Sequence, residues 1–333
     1  MKRPRKTMDG FLNINKPIDW TSHDVVAKIR GVLKHVKVGH TGTLDPLATG
    51  VLPICLGQAT KVAQYLLESD KEYRVVMRLG ATTDTQDATG RVLTRSDVTV
   101  GSERILAVMA ALIGPMSQIP PMYSAVKVHG QPLYKAAREG RTVERQPRPV
   151  LISRLEVLGI ADGDVTFDVT CSKGTYVRVL CAEAGERLGM GAYMQSLERR
   201  RVGRFGIADA LSVGDVLVAA QHGTVAGLIV GIDDVLDHLP AAEVDRATAD
   251  RVCHGVAVPA SSVLAWTGSW REGEPVRIRA GGLTIALGVP TADPADIRPG
   301  GAGRRLTIER VLTGERAADA VPGRSKSGRG GER

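Results

Sequence analysis

Three kinds of hydrophobic pattern succeed one another along this chain. Between Thr21 and Leu33, the apolar residues Val25, Val26, Ile29, Val32 and Leu33 recur at helical spacing, with Lys28, Arg30 and Lys34 on the other side. Thr21 and Asp24 stand where a capping box would open that helix. Residues 11–20 read as a short strand ending in a turn at Lys16-Pro17, and Gln58 to Glu68 carries Val62, Tyr65 and Leu66 at helical spacing. Glu72 to Leu79 alternates instead, with Tyr73, Val75, Met77 and Leu79 on one face and Arg74, Val76 and Arg78 on the other. Ile105 to Ile113 predicts a short helix, and Val150–Ile160 with Asp164–Cys171 predicts a hairpin across Asp162-Gly163. Thr175 is placed to cap a further helix through Val177, Leu180, Ala184 and Leu188. From about residue 240 the pattern changes to short strands split by glycine-rich turns, at 275–280, 283–288 and 305–311, which predicts a small β-rich domain.

Two segments interrupt these patterns. Residues 115–149 carry six prolines and a series of basic residues, which predicts an extended basic arm. Residues 39–53, GHTGTLDPLATGVLP, form a loop with glycines at 39, 42 and 50 and the turn-initiating pair Asp45-Pro46. Leu44, Leu47, Val51 and Leu52 flank Asp45, so this loop is expected to be pinned to the core rather than solvated. The pattern leaves Asp45 with two readings, a turn cap or a reactive carboxylate. Tyr73 is equally open between a core aromatic and a functional ring. Arg178, in a helix's first turn, opposes the helix dipole, which leaves two readings: an arginine with an acid or a phosphate beside it, or a surface arginine that tolerates a small penalty.

Composition narrows the class. With 333 residues, 43% hydrophobic and 24% charged, the chain is expected to be globular, with one large domain and a small one. No run is long enough to span a bilayer and no signal-peptide core follows the basic start, so a cytoplasmic protein without a membrane partner is expected. Lysine and arginine exceed the acids by 44 to 36, a net charge of +8. The excess clusters at the N-terminus, at Arg199-Arg200-Arg201-Arg204 and in the tail, which points to an anionic partner whose phosphates these clusters would neutralise. Aromatic residues at 4% argue against a surface of stacking rings. The four cysteines form no Cys-x-x-Cys pair and the histidines lack i, i+4 spacing, so neither a disulfide framework nor a metal site is predicted.

Four blocks in order, GHTGTLDPLATGVLP at 39–53, DKEYRV at 70–75, IPPMYSAVK at 119–127 and SKGTYVR at 172–178, resemble the TruB-type tRNA pseudouridine-55 synthases. The resemblance implies an α+β protein: a mixed α/β catalytic domain around an antiparallel sheet, followed by a small PUA-like domain. It divides the chain into a basic extension (1–8), a catalytic domain (9–240) with an RNA-gripping insertion at about 115–149, a PUA-like domain (241–313) and a disordered basic tail (314–333). The implied reaction isomerises a flipped-out uridine in the T-arm of tRNA, by a monomer without cofactor or metal.

Carried over on matching positions, Asp45 resembles the catalytic aspartate, acting on the sugar C1′ or the base C6, and ionised at neutral pH. Arg178 resembles its arginine partner. Tyr73 resembles the ring stacked on the target base, proposed to help remove the C5 proton, and His40 the residue that fills the vacated stack. Lys16 and Lys173 would contact phosphate or support the site, and Leu197 would form an apolar wall. The family has paired arginines after this leucine, whereas this chain reads Leu197-Glu198-Arg199-Arg200-Arg201. Two rivals share the charge and the β-rich end: a non-catalytic RNA-binding or RNA-folding protein, and a guide-RNA-dependent synthase of the same superfamily.

Overall fold

A computed structural model describes residues 8–97, 99–124, 126–128, 130–291 and 305–312. Almost all of the expected N-terminal extension and the whole of the expected tail lie outside the described residues.

The chain opens with β1 (Gly10–Lys16) and the helix α1 (Ser22–Val32). Thr21 and Asp24 form the reciprocal capping box the sequence predicts, and Val25, Val26 and Ile29 turn to the core. β2 (Val38–His40) enters the Asp45 loop and β3 (Thr49–Leu56) leaves it. The helix expected over 58–68 is broken into a 3₁₀ turn at Gly57–Lys61 and α2 (Ala63–Leu67). Gly57 at φ 56° and the lack of a side-chain cap on the turn favour a tight start over a continuous helix. Next come β4 (Lys71–Leu79), the paired β5 (Ala81–Thr83) and β6 (Val92–Arg95), α3 (Ser102–Ala110) and β7 (Gly114–Gln118).

The basic arm is shorter and more ordered than 115–149. β7 and the start of β10 (Arg148–Ala161) already belong to the main sheet, and the intervening stretch holds β8 (Lys127–Val128), β9 (Gln131–Pro132) and α4 (Leu133–Arg138). Proline is tolerated at 115 because β7 is the edge strand, and at 149 because β10 pairs with β11 only from Ile152 onward. β10 and β11 (Asp164–Cys171) form the predicted hairpin, with Asp162 and Gly163 both at positive φ. α5 (Val177–Leu188), β12 (Ala192–Val202), β13 (Phe205–Gly206) and α6 (Val213–Gln221) follow.

The main sheet has nine strands in the order β1-β3-β12-β4-β11-β10-β7, with β2 on β3 and β13 on β12. β4, β7, β10, β11 and β12 pair antiparallel, whereas β12 runs parallel to β3, in the register Arg199 to Gly50. β4 and β11 each bury alternate residues, Tyr73, Val75 and Met77 beside Val165, Phe167, Val169 and Cys171, as their sequence alternation requires. The outer face of these strands is a lattice of ion pairs, Arg74–Asp168, Arg78–Asp164 and Arg201–Glu72, which neutralises its own charge.

Contacts divide the chain into two compact units. One comprises Leu12–Ile54 and Ala63–Leu228; the other Met1–Phe11, Cys55–Val62 and Ile229–Arg333. The second is not continuous in sequence: Phe11 bridges to Val230, and Lys61 donates to the carbonyl of Val311. After the short helix α7 (Ile232–Val235) it contains β14 (Ala241–Val244), α8 (Arg246–Cys253), β15 (Val258–Pro259), β16 (Val263–Thr267), β17 (Val276–Ala280), β18 (Leu283–Pro290) and β19 (Arg305–Val311). These strands form one six-stranded sheet around Val244, Val252, Trp270, Ile278 and Leu306. No helix among the described residues is long and apolar enough to cross a membrane.

Candidate active site

The Asp45 loop is held from several sides. Gly42 and Gly50 sit at φ 103° and 98°, the left-handed region their lack of a side chain permits. The Ser22 hydroxyl accepts from the Leu44 amide at 2.8 Å and donates to the Leu44 carbonyl at 3.2 Å. Within the loop the Ala48 amide donates to the Asp45 carbonyl at 3.0 Å. Lys16, fully buried, donates from Nζ to the carbonyls of Pro17, Trp20 and Pro46, and burial lowers its pKa to about 8. Lys16 thus ties the Asp45 loop, through the Pro46 carbonyl, to the turn after β1.

Asp45 and Arg178 meet, although 133 positions of sequence separate them. Arg178 Nη2 lies 3.0 Å from Asp45 Oδ2, with 5% of the arginine side chain and 38% of the aspartate exposed. The guanidinium is shared further. Nη1 lies 3.5 Å from Asp87 Oδ2, and the carbonyls of Tyr123 and Thr85 accept from it at 2.9 and 3.3 Å. Arg178 thus meets two acids, the second being Asp87 in the turn between β5 and β6, outside the four motif blocks.

Burial raises the Asp45 pKa first of all; Arg178 pulls it down, Asp87 raises it and Lys16 lowers it. The balance is upward from the ordinary carboxylate value.

Arg178 sits in the first turn of α5, but Thr175 does not cap that helix. Tyr176 takes the cap position without a side-chain bond, and the Thr175 hydroxyl instead donates to the Ser172 carbonyl at 2.9 Å. Gln118 braces the same turn, its Oε1 accepting from the Tyr176 amide at 2.9 Å and its Nε2 donating to the Tyr176 carbonyl at 3.4 Å.

Asp45, Arg178, Tyr73 and Leu197 line one cavity of about 330 Å³. A space of this size holds a small organic ligand, and its walls combine apolar surface with a few polar groups. Tyr73 is enclosed and burial pushes its hydroxyl up to about 12, so it stays protonated across the physiological range. His40, Lys16 and Lys173 lie outside this lining. His40 ends β2 beside the loop, with burial lowering its pKa, and Lys173 pairs with Glu68 on the surface.

The basic run 199–204 does not act as one cluster. Arg199 is buried, Arg200 faces Glu198 at 3.4 Å and Arg201 pairs with Glu72 at 2.7 Å. Arg199 lines the cavity and its guanidinium reaches the loop backbone. Arg199 shares the inward face of Leu197 two positions before it, and a β-bulge between Arg199 and Arg201 leaves Arg200 and Arg201 on the outer side and turns Val202 in. Among the described residues no group of three or more His, Cys, Asp or Glu side chains is placed to hold a metal ion.

Residues 30–177 match the family described as TruB family pseudouridylate synthase (N terminal domain). The tRNA pseudouridine synthase B of Pseudomonas putida (strain F1) is 46% identical over 263 residues, covering 78% of this chain and 86% of that protein. The tRNA pseudouridine synthase B of Burkholderia mallei is 43% identical over 274 residues, covering 82% and 90%. Among solved structures, a Cbf5-Nop10-Gar1 complex matches at a TM-score of 0.74 and 29% identity over 92% of this chain and 86% of that one. An H/ACA RNP bound to a substrate RNA containing 2'-deoxyuridine matches at 0.75 and 27% over 96% and 90%. With nearly half the residues shared across most of both chains, and with the motif-bearing loop inside the matched region, the chain belongs to the TruB family of pseudouridylate synthases.

Proposed function

We propose that this protein converts a uridine in the T-arm of tRNA, at position 55, to pseudouridine, working as a monomer in the cytoplasm. The observation that carries the reading is the Asp45–Arg178 pair at the wall of a nucleoside-sized cavity. A polymer-embedded base reaches such a cavity only by leaving its stack. Asp45 then acts on C1′ or C6, the N-glycosidic bond breaks, the base turns and bonds through C5, Asp45 is released, the C5 proton leaves to solvent and N1 takes up a proton from it. Substrate and product are isomers, so no co-reactant is consumed. Tyr73 is enclosed against the cavity as a stacking ring, Leu197 forms the apolar wall, and His40 beside the loop fills the vacated stack. Lys16 supports the loop and Lys173, on the surface, meets phosphate. The unit with the six-stranded sheet from Ala241 onward is read as the PUA-like RNA-binding domain (241–313), and the residues from 9 to 240 as the catalytic domain.

The solved neighbours that act within ribonucleoprotein complexes are less similar in sequence than the tRNA enzymes, which favours tRNA as the substrate. The test compares the parent with Asp45→Asn on a T-arm hairpin without accessory proteins. Loss of pseudouridine with retained RNA binding is expected; equal activity in the two proteins refutes the assignment, and activity that needs a guide RNA moves it to the rival enzyme.

A further inference from the structure

Arg199 is a charged side chain that the reaction outlined above does not use. It is 2% exposed, and no carboxylate pairs with it among the described residues. An unpaired buried guanidinium is costly unless its donors are satisfied, and here neutral acceptors satisfy them. Nε donates to the Val51 carbonyl at 2.7 Å, Nη2 to the Gly42 carbonyl at 3.2 Å and Nη1 to the Thr43 carbonyl at 3.5 Å. Gly42 and Thr43 begin the Asp45 loop and Val51 follows its end. One side chain thus binds both ends of the segment that carries the acid.

The strand registers explain how it does so. Arg199 lies on β12 between two partners, opposite Gly50 of β3 and opposite Tyr73 of β4. A Cβ on Gly50 would stand 2.2 Å from the Arg199 carbonyl oxygen, so glycine alone lets β3 approach this closely. On the other side Arg199 stands opposite Tyr73 of β4, and both side chains line the cavity. The same side chain therefore holds the loop of the acid and lies in register with the tyrosine beside the cavity, and a planar fork has fixed angles where an ammonium has none.

We infer that Arg199 is a positioning residue for pseudouridine formation: it staples the two ends of the Asp45 loop and registers that loop against Tyr73. The inference deepens the proposed function and rests on it for its catalytic consequence, whereas the staple itself can be measured without RNA.

The experiment compares the parent with Arg199→Met and Arg199→Lys. By amide hydrogen exchange of the free protein, Leu44 and Ala48 should exchange at least tenfold faster in Arg199→Met, while Val75 and Phe167 in the β4–β11 ladder keep their protection. A general loss of stability would speed all four instead. On a T-arm hairpin, kcat should fall at least a hundredfold with KM within threefold, and Arg199→Lys should recover at least tenfold over Arg199→Met. Should Arg199→Met not fold, Arg199→Lys decides, with both effects expected at reduced size. Unchanged exchange at Leu44 and Ala48, or kcat within threefold of the parent, overturns the inference. A parent that makes no pseudouridine overturns the proposed function instead, and the exchange comparison then still decides the staple.

Discussion

Replacing Arg178 tests the centre of the site most directly. At 3.0 Å from Asp45, in surroundings of effective dielectric about 20, the attraction is worth about 5 kcal/mol before desolvation. Because 38% of the Asp45 side chain is open, water screens part of this, and a net loss of about 2–3 kcal/mol is the reasonable size. Arg178→Met should therefore lower the single-turnover rate by roughly 30- to 150-fold. It should also leave Asp45 and Asp87 without the cation they share, raising the Asp45 pKa further. An ionised Asp45 is required, so the deficit should be larger at pH 6 than at pH 8. Arg178→Lys keeps the charge but cannot span four acceptors, and should fall between parent and Arg178→Met. The assay is release of the C5 hydrogen as tritium from a labelled tRNA transcript, with enzyme in excess. A rate within threefold of the parent, or a deficit independent of pH, refutes the reasoning.

Two further changes probe the supports. Gly50→Ala would force a Cβ into the Arg199 backbone at φ 98°, so a loss of about 3 kcal/mol or more is expected in urea unfolding, and an unchanged midpoint contradicts the close β3–β12 approach. Lys16 has a folded pKa of about 8 against its ordinary 10.5, so between those values the unfolded chain holds a proton that the folded chain has released. Stability of the parent relative to Lys16→Met should consequently rise with pH across that window, by up to about 3 kcal/mol; a flat difference between the two urea curves removes the buried-lysine account.

Much of this architecture was legible from local pattern. The capping box at Thr21 and Asp24, the alternation of β4 and β11, and the turn at Asp162-Gly163 each depend on neighbours a few residues apart, and each forms as its pattern predicts. The motif around Asp45, with Tyr73 and Arg178, named the family and the side chains that line the cavity. Where a local signal misled, a competing local option existed: Thr175 bonds back to Ser172 instead of capping α5, and Gly57 favours a tight turn over a longer helix.

What the sequence determined by itself, then, was which faces are buried, where the chain turns and which acid is suited to chemistry. Only the tertiary structure decided which distant groups share a hydrogen bond. Asp87 lies in none of the four motif blocks, and only the fold brings it beside Arg178. Arg199 reads as one of a run of three basic residues until the register of β12 sets it between Gly50 and Tyr73. The physical reason is that side-chain periodicity reports a face, whereas a contact across more than a hundred residues depends on strand order and register, and one extra residue in a strand reverses every later side chain.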